Sequence, residues 1–122
     1  MVRGRLAIFS LLISIIVLAT ALPLGAADFA VALVNVTSPA APFSDARLDV
    51  RTVAEADCQI SVLYKSGRSR ARGLVPRQAD SAGRVAWVWR VGSNTTSGQW
   101  PIIVMCRKGQ DEGQLHTSFE VR

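Results

Sequence analysis

Two cysteines, Cys58 and Cys106, stand at opposite ends of a stretch in which apolar side chains recur at every second position. A period of two is the signature of strands with one face buried, and no helical period competes with it after residue 28. Leu48, Val50 and Thr52 share one face of residues 47–53, against Arg47, Asp49 and Arg51 on the other. Cys58, Ile60, Val62 and Tyr64 follow in phase, then Val85, Trp87, Trp89 and Val91. Trp100, Ile102, Val104 and Cys106 come next, then Leu115, Thr117, Phe119 and Val121. Residues 32–36 add a short apolar strand, followed by a break with two prolines, Pro39 and Pro42. Gly73-Leu74-Val75-Pro76 is expected to be a short edge strand stopped by its proline. Six or seven strands separated by Gly, Asp and Pro turns predict an all-β fold, an antiparallel sandwich or small barrel.

The chain before residue 28 has a different character. Arg3 and Arg5 precede an apolar run over residues 6–18 interrupted only by Ser10 and Ser14, and Pro23 ends it. A positive start, an apolar stretch and small residues before a cut are the parts of a secretory signal. Gly25-Ala26-Ala27 offers the small residues, which makes residues 1–27 the signal and Asp28 the first mature residue; Ala19-Thr20-Ala21 is an earlier possible cut. The competing expectation is an uncleaved membrane anchor. Residues 6–22 would span about 25 Å as a helix at ~1.5 Å per residue, at the short end for a bilayer core of roughly 30 Å. In both cases the remainder is exported, to the periplasm or the cell exterior, and any membrane contact is through this segment alone.

Residues 28–122 suffice for one domain. Export puts both thiols where a disulfide persists. Closing the 49-residue loop between them stabilises by roughly 4 kcal/mol in the chain-entropy model. Cys58 opens its strand and Cys106 ends its own, so two adjacent antiparallel strands would bring them side by side. The bridge is therefore expected within one sheet, with Cys58 on the third strand. Without Arg3 and Arg5 the charge is +3, from twelve basic and nine acidic residues. That is ordinary solubility and no nucleic-acid footprint. Arginine outnumbers lysine twelve to two, a bias typical of GC-rich bacterial coding sequences.

Several stretches together resemble a known family. They are Asp57-Cys58-Gln59-Ile60-Ser61-Val62 with Tyr64 and Gly67, then Gly73-Leu74, and the turn from Asp80 to Gly83. Val85-Ala86-Trp87-Val88-Trp89-Arg90-Val91-Gly92 and Gly98-Gln99-Trp100-Pro101-Ile102 leading to Cys106 complete the set. Their order resembles that of immunoglobulin-like domains of bacterial secreted and cell-surface proteins, over nearly all of residues 32–122. The resemblance implies an immunoglobulin-like sandwich of about seven strands with a structural or adhesive role and no catalytic residue. The chain departs from the pattern by carrying the domain alone behind its apolar segment.

Lys65, Arg68, Arg70 and Arg72 fall within eight residues, with Arg77 nearby. Serines and glycines between them predict a mobile, solvated loop. It would either attract a cell-envelope polyanion or protect an edge strand from pairing. The three tryptophans are in phase with aliphatic neighbours, which makes them core. Trp100, after the Gly98 turn, is the candidate exposed aromatic for an adhesive contact. His116 is the only histidine, on the opposite face from Leu115 and Thr117, with no buried acid or nucleophile indicated by spacing. No catalytic, metal or cofactor site is expected. Asn35-Val36-Thr37 and Asn94-Thr95-Thr96 match the glycosylation acceptor pattern.

The sequence therefore predicts an exported, non-catalytic binding or adhesion module, its partner a polyanion or a surface protein. A membrane-tethered structural envelope protein is the alternative, and a hydrolytic enzyme a remote one.

Overall fold

The computed structural model describes residues 27–122. The expected signal, apart from Ala27, lies outside the described residues. The chain is all-β, with strands β1 (Ala32–Val36), β2 (Asp45–Arg51), β3 (Asp57–Tyr64), β4 (Gly67–Arg68), β5 (Arg77–Gln78), β6 (Arg84–Arg90), β7 (Gly98–Lys108) and β8 (Asp111–Val121). They form two antiparallel sheets, one ordered β1-β2-β6 and the other β4-β3-β7-β8, with β5 also on β3. Among the described residues no helix is long and apolar enough to cross a membrane.

The alternation read in the sequence is what brings the sheets together. Leu48, Val50, Trp87 and Trp89 from the first sheet meet Ile60, Val62, Ile102, Val104, Phe119 and Val121 from the second, and all are buried. No polar or charged side chain is buried with them among the described residues. Trp89 and Phe119 meet edge to face across the sheets at 5.6 Å, a geometry that the ring quadrupoles favour. Both buried indole N–H groups have acceptors: Trp87 Nε1 donates to the Val75 carbonyl at 2.9 Å, and Trp89 Nε1 to the Tyr64 hydroxyl at 3.3 Å. An unmade bond there would carry the desolvation cost of a buried donor.

The disulfide lies within a sheet. Cys58 on β3 stands directly opposite Cys106 on β7, the two Cα atoms 4.0 Å apart. Such close approach belongs to a non-hydrogen-bonded pair, where facing side chains are nearest. The β3–β7 ladder runs to Ile102 and stops beside Pro101, which has no N–H to offer.

Residues 73–76 are not the expected edge strand. The short edge strands are β4 and β5, paired to opposite ends of β3. Between them the chain crosses to the other sheet, where Gly73 (φ 92°) lies so close to the Val88 carbonyl that any Cβ would overlap it. Val75 there supplies the acceptor for Trp87. The hydrogen-bonding need of a core indole thus overrides the local strand pattern. Residues 65–68 turn the chain and are exposed, and their backbone is paired. Tyr64 pairs with Gly67 and Leu63 with Arg68, so Lys65-Ser66 is the two-residue turn of a hairpin.

At the opposite end from that hairpin, the Asp80 carboxylate caps a turn, accepting from the backbone N–H of Arg84 (2.8 Å) and of Ala82 (2.9 Å). The bond from Arg84 is the main reason that its pKa lies below the ordinary carboxylate value. A depressed folded-state pKa contributes stability above the unfolded value of about 3.9, and the contribution disappears as pH falls through the folded value. Asp80→Asn should therefore show a shallower loss of melting temperature between about pH 5 and pH 3 than the wild type. Thermal melts across that range would show parallel slopes if the turn carboxylate contributes nothing.

Candidate functional site

Strand direction decides which loops meet. β2 pairs antiparallel with β6 and β3 with β7, and the bond from Trp89 to Tyr64 brings the last residues of β6 and β3 together across the sheets, so β3 and β6 end, and β2 and β7 begin, at the same end of the sandwich. The β3–β4 hairpin, the crossing segment after it and the β6–β7 loop are consequently neighbours. They enclose a groove of about 800 Å³ lined by Lys65, Arg68, Arg70, Arg72 and Arg90, with Tyr64 among its walls. Ser66, Ser69, Ser93, Asn94, Thr95 and Thr96 supply the remaining polar lining, and no acidic residue takes part.

The four clustered cations are exposed. Ion pairs among the described residues are Arg47–Asp49, Arg90–Asp45, Arg107–Glu112 and Arg122–Glu120, so Lys65, Arg68, Arg70 and Arg72 have no carboxylate partner among those residues. Four unpaired like charges around one concavity reinforce each other's field at its centre, while that of Arg90 is offset by Asp45. The backbone of the same segment covers an edge: β4 pairs with β3, and Ser69 N–H donates to the Val62 carbonyl at 2.8 Å. Edge protection and an anion-attracting surface are thus served by different atoms of one loop. At the far end both signs are mixed: Asp57 stands opposite Arg107, Asp111 opposite Lys108, and Arg107 pairs with Glu112.

Below the groove lies a cluster of rings. Tyr64 meets Trp100 at 6.2 Å and Phe119 at 6.1 Å, both edge to face. Burial pushes the Tyr64 phenol above its usual pKa, with the bond from Trp89 opposing. Trp100 is half-buried against the core, and its indole N–H holds the β6–β7 loop by donating to the Thr96 carbonyl at 2.8 Å. Among the described residues the Phe, Trp or Tyr ring most open to solvent is Phe43, 66% exposed, in the loop before β2. Its φ of 60° puts a bulky residue in the left-handed region, an uncommon state that the surrounding structure must hold in place. Phe43 N–H donates to the Val91 carbonyl, and Val91 N–H to the Ser44 carbonyl, both at 2.8 Å. The Arg90 guanidinium sits 5.0 Å above the Phe43 ring.

Sequence reasoning found the contiguous part of this site and missed Arg90, Phe43 and residues 92–96. Phe43 follows Pro42 directly and lies outside the alternation that starts at Arg47. An aromatic stranded in a proline-rich break was the available signal. Arg77 lines a different depression, beside the disulfide, with Asp57, Met105 and Glu112. His116 is exposed, its ring nitrogen 3.0 Å from Gln114 Oε1, so its hydrogen-bond partner is an amide and not a carboxylate. No group of three or more His, Cys, Asp or Glu is arranged to hold a metal ion among the described residues. Compared with models of known protein families and with curated protein sequences, the chain matches none.

Proposed function

We propose that this chain is an exported, non-catalytic binding module of the cell surface or periplasm that holds a polyanionic ligand in the groove at one end of an immunoglobulin-like sandwich. The observation that carries the reading is a concavity lined by five basic side chains and no acidic one, four of them without a carboxylate partner among the described residues. The strand order supports the fold assignment: β1, β2 and β6 correspond to strands A, B and E of that architecture, and β3, β7 and β8 to C, F and G. The bridge joins C to F within a sheet, in place of B to F between sheets. Export rests on the signal-like residues 1–27 together with the disulfide.

The test is retention on a column of immobilised dextran sulfate. The protein should bind at low ionic strength and elute as salt screens the loop. Arg68→Ala, Arg70→Ala and Arg72→Ala together should send it to the flow-through with an unchanged melting temperature, since all three side chains are exposed. Undiminished retention of the triple variant would remove the groove as the binding site.

Tethering is compatible with this reading. Ala27 is bonded through both its amide and its carbonyl beside Asp111 and Glu112. Residues 1–26 therefore join the domain at the end opposite the groove. An uncleaved start would hold the groove on the side of the domain away from the membrane.

A further inference from the structure

We infer that the polyanion is the anionic surface of a lipid bilayer, and that the loop before β2 enters that surface beside the groove. The inference rests on the polyanion reading and names the source of the negative charge. Residues 37–44 include no charged side chain. Pro39, Ala41 and Phe43 among them are exposed, and the Phe43 ring keeps 66% of its surface open. The backbone bonds of Phe43 and Ser44 to Val91 tie this loop to the end of β6, on the groove side of the sandwich. Arg90 joins the two parts. It lines the groove, its Nε donates to Asp45 Oδ1 at 3.1 Å, and its guanidinium lies 5.0 Å from the centre of the Phe43 ring.

One end of the domain therefore presents an apolar tip next to Lys65, Arg68, Arg70 and Arg72, which have no carboxylate partner among the described residues. A dissolved polyanion uses the charges and gains nothing from the tip. A bilayer surface uses both. Its negative potential attracts Lys and Arg, and an apolar ring gains by leaving water at the boundary between headgroups and acyl chains. Phe43 is held in the left-handed region by its backbone bonds, so the ring stays outside the core at little further cost in order. This membrane contact is separate from the one expected of residues 1–27. It belongs to the released domain, because an uncleaved start would hold the groove away from its own bilayer.

Co-sedimentation with vesicles is the experiment, on the protein that starts at Asp28. That form holds both sheets and every buried residue among those described, without the apolar run that would enter any vesicle by itself. At about 0.1 M salt it should sediment with vesicles of equal parts phosphatidylcholine and phosphatidylglycerol, and stay in solution with phosphatidylcholine alone. Phe43→Asn suits the left-handed backbone, so the fold is kept. It should weaken vesicle binding roughly tenfold and leave dextran sulfate retention and melting temperature unchanged. Arg68→Ala, Arg70→Ala and Arg72→Ala together should weaken vesicle binding roughly a hundredfold. Retention on dextran sulfate without binding to the phosphatidylglycerol vesicles, or vesicle binding that Phe43→Asn leaves intact, overturns the membrane docking and leaves the polyanion groove standing. Absence of both kinds of binding in the wild type overturns both.

Discussion

Replacing both cysteines by alanine should lower the melting temperature by roughly 15–30 °C while leaving an all-β circular dichroism spectrum. The disulfide closes a loop with a sequence separation of 48, for which loop closure contributes about 4 kcal/mol. For a domain near a hundred residues, each kcal/mol moves the midpoint by about 4–8 °C. The expected loss is a large part of the ~5–15 kcal/mol that holds such domains folded. The two sulfurs are buried beside Gly113, which faces Cys106 on β8 and has room for nothing larger because Phe29 and Val31 lie against it. Alanine fits that space without adding a polar group. Calorimetry of oxidised wild type, reduced wild type and the Cys58→Ala/Cys106→Ala variant gives the test. Coincident midpoints for all three would mean that the sheets close without the bridge.

The in-sheet bridge was readable because phase and order are both local quantities. Cys58 begins an inward-facing series and Cys106 ends one, and two such strands placed antiparallel and adjacent align those positions. The same logic located β2, β3, β6, β7 and β8 from their alternating faces. It failed where an element is too short to have a period. β4 and β5 pair two residues each with β3, and nothing in two residues distinguishes a strand from a turn. Leu74 and Val75 looked strand-like for the opposite reason, since apolar residues before a proline fit an edge. Their position follows from Trp87 on another strand, which takes the Val75 carbonyl as acceptor.

The groove divides along the same line. Lys65, Arg68, Arg70 and Arg72 are near neighbours in sequence, so their clustering needed no fold. Arg90 joins them only because β6 ends where the β3–β4 hairpin turns, and Phe43 only because β2 starts beside that end. Both facts are products of strand pairing over long separations. Trp100, which follows a glycine turn, is half-buried: Tyr64 packs against one side of it and Thr96 takes its N–H. Exposure at the end of a sandwich is decided by which loops lie over it, and the alternation of one strand is blind to that.

Trp87→Ala should be the most damaging single change, costing about 3–5 kcal/mol, whereas Trp100→Ala should cost less than half as much. Both residues alternate in phase with aliphatic neighbours, so sequence pattern alone would rank them together. Burial separates them: Trp87 is fully enclosed opposite Leu48, while Trp100 keeps solvent on one side. Truncating Trp87 empties the centre of the core, which a close-packed interior cannot refill without strain. It also releases the segment that carries Gly73 and Val75 across the open side of the sandwich, because the indole N–H is what that crossing is bonded to. Trp87→Phe isolates the second effect, keeping most of the ring while removing the donor. Amide hydrogen exchange should then rise selectively over residues 71–76 in Trp87→Phe, and throughout the chain in Trp87→Ala. Equal destabilisation by Trp87→Ala and Trp100→Ala in denaturant melts would contradict the burial argument and, with it, the assignment of the 71–76 crossing as a strap held by the core.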